Sequence, residues 1–297
     1  MTMSTQAGVI GIVGGTGLYD LDGLTDQQWI TVRSPFGQPS DQLLVGRLGD
    51  VKVVFLPRHG RGHRIPPHEI DFRANIDALK RAGCGQVISV SAVGSLRAEL
   101  PPGTMVVVDQ FIDRTLRGPR TFFGTGLVAH VAFGHPVCAR LSAALVATGQ
   151  GLGLPVVDGG TYVAMEGPQF STRAESELHR GLGASVIGMT NLPEAKLARE
   201  AELCYATVAM VTDFDCWHPD HDHVQVADVV RVLTANAASA RRLLAAALPV
   251  AGAHPAPCPH GCDRALDSAV LTAPEARDPA LCARLDAVAG RVLGRGR

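Results

Sequence analysis

Residues 205–217 read Tyr205-Ala206-Thr207-Val208-Ala209-Met210-Val211-Thr212-Asp213-Phe214-Asp215-Cys216-Trp217. The first seven residues are uncharged and largely apolar or β-branched, which predicts a strand buried on both faces. Ligands of open α/β sheets bind beyond the carboxyl ends of such strands. Because residues two apart in an extended segment point the same way, we expect Asp213 and Asp215 to direct both carboxyl groups into one cleft. A solvated turn capped by Asp213 is the alternative.

These two acids have no basic neighbour in the sequence, since no Lys or Arg lies between Glu202 and Arg231. Two unpaired carboxylates side by side repel each other. The pattern therefore predicts that one of them holds a proton near neutral pH.

Strand-like and helix-like segments alternate along the chain. Short apolar runs predict further strands at residues 8–13, 51–56, 86–95 and 186–190, and helical spacing occurs at residues 71–82, 174–180, 194–203 and 226–248. This alternation predicts an α/β fold with one catalytic domain over residues 1–248. The Pro-rich remainder, residues 249–297, predicts a C-terminal arm with a helix between Pro274 and Leu293 rather than a second folded domain.

Composition narrows the class of protein. The 297-residue chain is 46% hydrophobic with a net charge of −1, which excludes the charge bias of nucleic-acid or membrane-surface binders. Its longest apolar stretch, residues 243–253, is far short of the roughly 18 residues that a membrane span needs. Residues 1–7 lack the features of an export signal, and seven scattered cysteines are typical of reduced thiols. We therefore expect a cytoplasmic protein with no nucleic-acid or membrane partner.

Three predicted strand ends carry residues that suit phosphate. Gly14-Gly15-Thr16-Gly17 is a turn whose N–H groups and Thr16 hydroxyl can converge on an anion, although it matches neither the dinucleotide nor the P-loop spacing. In Pro57-Arg58-His59-Gly60, Arg58 offers a charged planar fork and His59 a further donor. The small residues of Ser91-Ala92-Val93-Gly94-Ser95 let backbone amides approach a ligand. A plain turn, a surface basic cluster and a satisfied core hydroxyl are the respective alternatives.

Taken together and in order, six motifs resemble those of the trimeric purine nucleoside phosphorylase superfamily, and within it the branch that cleaves S-methyl-5'-thioadenosine. The similarity runs from about Ile10 to Leu248. It implies a single-domain mixed β-sheet flanked by helices, and a homotrimer with active sites near the subunit interfaces. The motifs are Gly14-Gly15-Thr16-Gly17, Pro57-Arg58-His59-Gly60, Ser91-Ala92-Val93-Gly94-Ser95, Glu166-Gly167-Pro168-Gln169-Phe170, Met189-Thr190 and Thr212-Asp213-Phe214-Asp215-Cys216-Trp217.

Carried over by position, the resemblance implies three groups of site residues. The phosphate-binding residues would be Thr16, Arg58, His59, Ser91, Ala92 and Thr190. The nucleoside-binding residues would be Phe170 against the base, Met189 against the ribose, Ser171 nearby, Val226, Val229 and Val230 around the 5'-alkylthio group, and His130 from the neighbouring subunit. The catalytic residues would be Asp213 and Asp215. Valines at helical spacing are more often plain core.

The implied reaction is phosphorolysis of S-methyl-5'-thioadenosine to adenine and 5-methylthioribose 1-phosphate, a step of methionine and purine salvage. Adenine presents N6 as a donor and N7 as an acceptor, so Asp213 would protonate N7 as general acid while Asp215 accepts from N6. Inorganic phosphate would be the co-substrate and attack C1', and no metal or organic cofactor is expected.

Substrates with a 6-oxopurine base are the alternative. Their O6 acceptor would face Asp215, and two buried acceptors in contact are costly. Oxopurine phosphorylases have an Asn where Asp213 stands and a Glu where Ser171 stands. A 6-oxopurine nucleoside or methylthioinosine therefore ranks second.

The sequence also leaves open two functions of other classes, a metal-binding hydrolase and a non-catalytic nucleotide-binding module. The segment His218-Pro219-Asp220-His221-Asp222-His223, next to Asp215 and Cys216, could bind a metal in a hydrolase, although strict ligand spacing is absent and solvated histidines are the plainer interpretation. The segment Cys258-x-x-x-Cys262 with His260 is a second candidate metal clip with the same weakness. A non-catalytic nucleotide-binding module is the other function.

Overall fold

The structure is a computed structural model that describes residues 8–294 except residues 16, 19, 220–225 and 254–256, with residues 226–229 and 233 described by their backbone alone. The described residues form eleven strands and seven α-helices. The strands are β1 (Val9–Gly14), β2 (Leu24–Ile30), β3 (Leu43–Leu48), β4 (Val51–Pro57), β5 (Cys84–Ser95), β6 (Met105–Val107), β7 (Gln110–Asp113), β8 (Val156–Asp158), β9 (Thr161–Ala164), β10 (Val186–Gly188) and β11 (Cys204–Asp213). The helices are α1 (Phe72–Arg81), α2 (Ala139–Gly151), α3 (Arg173–Gly181), α4 (Asn191–Glu200), α5 (Val226–Gly252), α6 (Pro279–Arg284) and α7 (Asp286–Ala289).

The sheet branches at β5, its longest strand. One edge of β5 pairs in parallel with β1, and the other edge pairs in parallel with β11 from Gln86 to Gly94. The end of β5 also pairs antiparallel with β10. The strand order is β2-β3-β4-β1-β5-β10-β9-β7, and β11, β6 and β8 extend from β5 as a branch. Parallel and antiparallel pairs share one sheet flanked by helices, which confirms the predicted mixed α/β fold.

Apolar side chains fill both faces of the sheet. One core joins the sheet to α1, α4 and α7, and the other joins it to α2 and α5. Strand β11 contributes to both cores, because Ala209 and Val211 face one and Val208 and Met210 the other. Burial on both faces explains its uninterrupted apolar sequence and confirms the strand predicted at residues 205–211.

Parallel pairing brings the predicted motifs together at the carboxyl ends of neighbouring strands. Gly14 at the end of β1 lies opposite Pro57 at the end of β4. Asp213 at the end of β11 lies opposite Gly94, after a register shift that follows Val211. Residues far apart in sequence therefore meet at one side of the sheet, as expected for an α/β fold.

The C-terminal arm joins the same cores as the rest of the chain. Helix α5 continues to Gly252, so the predicted boundary after residue 248 falls within a helix. The helix predicted between Pro274 and Leu293 consists of a 3-10 turn followed by the short helices α6 and α7. Leu266, Leu285 and Val288 of the arm are buried. In the described part of the chain, no helix has both the length and the apolar character required to cross a bilayer.

Replacing Gly188 by alanine tests the close packing beside the strand ends. A Cβ at Gly188 would overlap the hydroxyl of Tyr162, which is fully buried and accepts a hydrogen bond from the Thr190 N–H. We expect Gly188→Ala to lower the free energy of unfolding by about 1–3 kcal/mol, measured by chemical denaturation. Gly85→Ala is the matched control within the sheet, because no atom lies within 4 Å of its Cβ position. Equal effects of the two substitutions would contradict this account.

Candidate active site

Arg58 forms a buried ion pair with Glu194 at the end of β4. Its Nε and Nη2 atoms donate to the two carboxylate oxygens at 2.8 and 3.1 Å, and both side chains are only 2% exposed. Burial alone lowers the pKa of Arg58, but the charge and hydrogen bonds of Glu194 outweigh it, so the pKa is raised. Nη1 donates to the Val90 carbonyl at 3.0 Å. Nη1 carries two N–H groups, and the second makes no hydrogen bond among the described residues.

Asn191 ties this ion pair to the centre of the sheet. Its Nδ2 donates to the hydroxyls of Tyr205 and Thr207 on β11 at 2.6 and 2.9 Å. Its Oδ1 accepts from the Ser91 hydroxyl on β5 at 3.0 Å, and the Tyr205 hydroxyl donates to Glu194 at 2.9 Å. The buried network fixes the relative positions of β4, β5, β11 and α4, because each of these elements contributes a hydrogen-bonded member.

Thr190 offers an unused donor beside this network. Its Oγ1 is buried and has no hydrogen-bond partner among the described residues. A buried hydroxyl without a partner is unfavourable unless a ligand completes it. Ser91 and Ala92 lie on the adjacent strand β5, and the Arg58 N–H donates to the Gly14 carbonyl at 3.0 Å. A glycine turn, a fixed cation and a free hydroxyl therefore surround one place at the strand ends. Thr16 lies outside the described residues.

His59 has a different hydrogen-bonding role from the predicted one. Its Nδ1 lies 2.9 Å from the Ile65 carbonyl, which can only accept, so Nδ1 carries the proton. Burial lowers the pKa of His59 to about 4. The ring is therefore neutral at pH 7 and leaves Nε2 as an acceptor, suited to a protonated phosphate oxygen rather than to donation.

Asp213 and Asp215 come together around Gly94, but not through the extended geometry that the sequence suggested. Strand β11 ends at Asp213, and Asp215 has a left-handed backbone with φ of 52°. Its N–H donates to Asp213 Oδ1 at 2.8 Å, so the chain turns between the two acids. A Cβ at Gly94 would lie 2.9 Å from Asp213 Oδ1 and 3.3 Å from Asp215 Cβ. The absence of a side chain at Gly94 is what leaves room for the pair.

Both carboxyl groups favour protonation more than an exposed carboxyl does. Burial raises the pKa of Asp213 against the hydrogen bonds from Thr212 and the Asp215 N–H, and the charge of Asp215 raises it further. Burial also raises the pKa of Asp215, although the hydroxyls of Ser176 and Ser171 lower it in part. Asp215 is 4% exposed, and its Oδ2 has no hydrogen-bond partner among the described residues.

The Thr212 hydroxyl lies between Asp213 and strand β5. Its Oγ1 is 3.1 Å from the Val93 carbonyl and 2.7 Å from Asp213 Oδ2. Because a hydroxyl has one proton, it donates to only one of these two acceptors at a time.

The acid pair and the phosphate-side residues lie along the same strand. Ser91 and Gly94 are three residues apart on β5, which corresponds to roughly 10 Å of extended chain. This separation is comparable to the length of a nucleoside. The structure therefore places the network around Arg58 and the two acids roughly 10 Å apart along β5.

Arg117 organises the loops beside this interval, and sequence reasoning missed it. It is buried, and its guanidinium donates to the carbonyls of Met189 and Met165 at 2.7 Å each. Met189 in turn packs against Gly167, where a Cβ would overlap the Met189 sulfur. Phe170 is 47% exposed, and the Ser171 carbonyl accepts from the Cys216 thiol at 3.3 Å.

Other predicted nucleoside-binding residues do not join this group within the described chain. His130 is exposed and lines a separate surface cleft of about 420 Å³. Val230 is 53% exposed. The side chains of Val226 and Val229 lie outside the described residues. Residues 220–225, which hold most of the predicted histidine cluster, also lie outside them.

Several residues that complete the site carry no local sequence signal. In the sequence, nothing distinguishes Glu194, Asn191 and Tyr205 from ordinary helix and strand residues. Only the fold brings them into the hydrogen-bond network around Arg58. A signal for Glu194 was available in principle, since a buried arginine needs an acidic partner.

Removing the charge of Glu194 should be strongly destabilising. Glu194→Gln leaves Arg58 buried without a counter-charge, so we expect the free energy of unfolding to fall by about 3–5 kcal/mol. Glu177→Gln is the control, because Glu177 pairs with Arg180 at the surface and such pairs contribute about 0–1 kcal/mol. Urea denaturation of both variants measures the difference, and comparable losses would contradict the role of the buried pair.

Replacing Asp215 by asparagine should stabilise the protein in a pH-dependent way. Because the pKa of Asp215 is raised in the folded state, ionisation opposes folding as pH rises through that value and has no effect below the unfolded pKa. Asp215→Asn should therefore raise the melting temperature more at pH 8 than at pH 4.5. The exposed Asp22→Asn is the control and should change it little at either pH. A gain independent of pH would contradict this explanation.

Comparison with known proteins agrees with this geometry. The model of the phosphorylase superfamily matches residues 9–249. The S-methyl-5'-thioadenosine phosphorylase of Bradyrhizobium diazoefficiens is 59% identical over 97% of this chain and 99% of its own length, and that of Rhodospirillum rubrum is 57% identical over 99% and 100%.

Solved structures give the same result. A methylthioadenosine phosphorylase from an antarctic soil metagenomic library is 43% identical and superposes with a TM-score of 0.90 over 95% of this chain and 99% of its own. A methylthioadenosine phosphorylase from Schistosoma mansoni in complex with adenine is 38% identical, with a TM-score of 0.77 over 84% and 93%. The family match covers most of the chain and includes every strand of the sheet. The chain therefore belongs to the phosphorylase superfamily.

Proposed function

We propose that the protein catalyses the phosphorolysis of S-methyl-5'-thioadenosine to adenine and 5-methylthioribose 1-phosphate. The observation that carries this proposal is the acid pair at Gly94, set roughly 10 Å along β5 from Ser91 and the Arg58–Glu194 pair. The high identity to S-methyl-5'-thioadenosine phosphorylases over nearly the full chain supports the same substrate. The reaction belongs to methionine and purine salvage.

The acids would act on the base. Asp213, whose pKa is raised by burial, would donate a proton to N7 and make adenine a better leaving group. Asp215 accepts from the exocyclic N6, for which its unpaired Oδ2 is suited. General acid catalysis of this kind contributes about 10²–10⁴-fold.

The phosphate side would hold the nucleophile. The free N–H of Arg58 Nη1, the Thr190 hydroxyl and the backbone beside Ser91 and Ala92 bind the anion, and neutral His59 accepts from its protonated oxygen. Thr16 completes the glycine turn. Phosphate attacks C1' from the face opposite the leaving base, and its charge stabilises the cationic ribosyl transition state. Neither a metal ion nor an organic cofactor takes part in this reaction.

The remaining nucleoside contacts are assigned from the positions of these residues in the family motifs. Met189, held by Gly167 and Arg117, lies against the ribose, and Phe170 and Ser171 border the base. Val226, Val229 and Val230 surround the 5'-alkylthio group.

A homotrimer in the cytoplasm is part of the proposal. His130 would complete a neighbouring subunit's site, which is supported by its exposure and by the apolar cleft beside it, lined by Val128 and Phe133. All seven cysteines are free thiols, which is typical of proteins in a reducing compartment.

The reaction itself is tested by incubating the protein with S-methyl-5'-thioadenosine in the presence and absence of phosphate and measuring free adenine. We expect adenine release only with phosphate. Binding without release would identify a non-catalytic nucleotide-binding module. Phosphate-independent release that a chelator abolishes would identify a metallohydrolase.

Asp213→Asn should change which base is preferred. An amide donates to O6 of a 6-oxopurine but cannot protonate N7, so we expect the rate on S-methyl-5'-thioadenosine to fall by about 10²–10⁴-fold and the relative rate on methylthioinosine and inosine to rise. Release of adenine and hypoxanthine, measured with phosphate, gives the ratio. Glu177→Gln, on the surface of α3, is the control. An unchanged ratio in Asp213→Asn would remove Asp213 from base recognition.

A further inference from the structure

Four buried cysteines meet at the opposite end of β11 from the acid pair. Cys138, Cys204, Cys258 and Cys262 are between 0% and 6% exposed, and their sulfur atoms all lie within 4.8 Å of one another. Cys138 precedes α2, Cys204 begins β11, and the other two belong to the C-terminal arm. Three separate parts of the chain therefore converge on one point.

The backbone holds these cysteines in place. The Cys138 N–H donates to the Tyr205 carbonyl at 2.7 Å, which fixes it beside Cys204. In the arm, the Gly261 N–H donates to the Cys258 carbonyl at 3.0 Å, and Gly261 has a left-handed φ of 67°. This tight turn brings Cys258 and Cys262 to the same centre. A spacing of two to four residues between paired cysteines is typical of structural zinc sites.

The four cysteines are free thiols, and the measured sulfur spacing fits a single metal ion better than a disulfide or a cluster. A disulfide requires about 2.05 Å between sulfurs, whereas Cys138 and Cys258 are 3.7 Å apart. An iron–sulfur cluster would hold its cysteines farther apart, because iron and sulfide ions lie between them. Four thiolates at about 2.3 Å from one tetrahedral ion are roughly 3.8 Å apart, which agrees with the observed contact.

Two arginines provide the charge that such a site needs. Arg140 Nη2 lies 3.8 Å from Cys204 Sγ, and Arg199 Nη1 lies 3.9 Å from Cys262 Sγ. A zinc ion bound by four thiolates carries a net charge of about −2. Cationic N–H groups directed at the ligating sulfurs offset this charge and orient the ligands.

We propose that Cys138, Cys204, Cys258 and Cys262 bind one structural Zn²⁺ ion that fastens the C-terminal arm to the start of β11. Binding replaces the four thiol protons with one ion and releases these protons to solvent. Strand β11 separates this site from Asp213 by nine residues, roughly 30 Å of extended chain. The ion therefore supports the fold and takes no part in the reaction. The sequence showed only the Cys258–Cys262 pair, because the other two ligands lie far away along the chain.

The test is the metal content of the full-length protein, purified under reducing conditions and measured by elemental mass spectrometry. We expect about one zinc per chain in the wild type and in Cys282→Ser, a control cysteine that is buried in the same arm outside the cluster. Cys258→Ser/Cys262→Ser should lose the zinc and melt at a lower temperature. Its kcat/KM should stay within about twofold of wild type below that temperature, since β11 keeps the sites far apart.

Cobalt replacement keeps the proposal testable if the double variant does not fold. Co²⁺-loaded wild-type protein should show the intense thiolate-to-metal charge-transfer and tetrahedral absorption bands of four cysteine ligands. Iron in place of zinc would overturn the identity of the ion. Metal-free wild-type protein, or a mass lower by two hydrogens per cysteine pair, would overturn the site itself.

Discussion

The buried Arg58–Glu194 ion pair determines how the strand ends are arranged, because residues of β5, β11 and α4 must meet around Arg58 to satisfy it. Taking two charges out of water is unfavourable, so the pair survives only with close geometry and further hydrogen bonds. The Tyr205 hydroxyl donates to Glu194, and the Ser89 hydroxyl accepts from Arg58 and from the Asn191 amide. The cation is therefore held in one orientation before any ligand arrives, which is what preorganised binding of an anion requires.

A second constraint acts farther along β5, at Gly94, where two acids share a confined space. Burial raises the pKa of both carboxyl groups. Gly94 leaves the room, and the turn at Asp215 directs its N–H to Asp213. The same desolvation makes the ionised form of each carboxyl group less stable in the folded protein than in water.

The C-terminal arm contacts both the hydrophobic core and the start of β11. Its apolar residues enter the core shared with α1 and α4, and its cysteines approach the start of β11. Arg199 reaches from α4 to Cys262. Asn191 and Glu194 lie near the start of the same segment, on either side of Leu192, whose backbone is not helical. The arm therefore contacts the segment that also supplies the phosphate-side network.

The sequence alone predicts the α/β class, the strand at residues 205–211, the positions of most helices and the motifs at the strand ends, because hydrophobic periodicity and turn residues act locally. It did not determine the partner of Arg58, the proton-bearing state of His59 or the turn that separates Asp213 from Asp215. It also did not bring Cys138 and Cys204 to Cys258 and Cys262. Each of these depends on atoms from strands and helices remote in the chain, and only tertiary packing fixes which side chains lose their contact with water and which partners replace it.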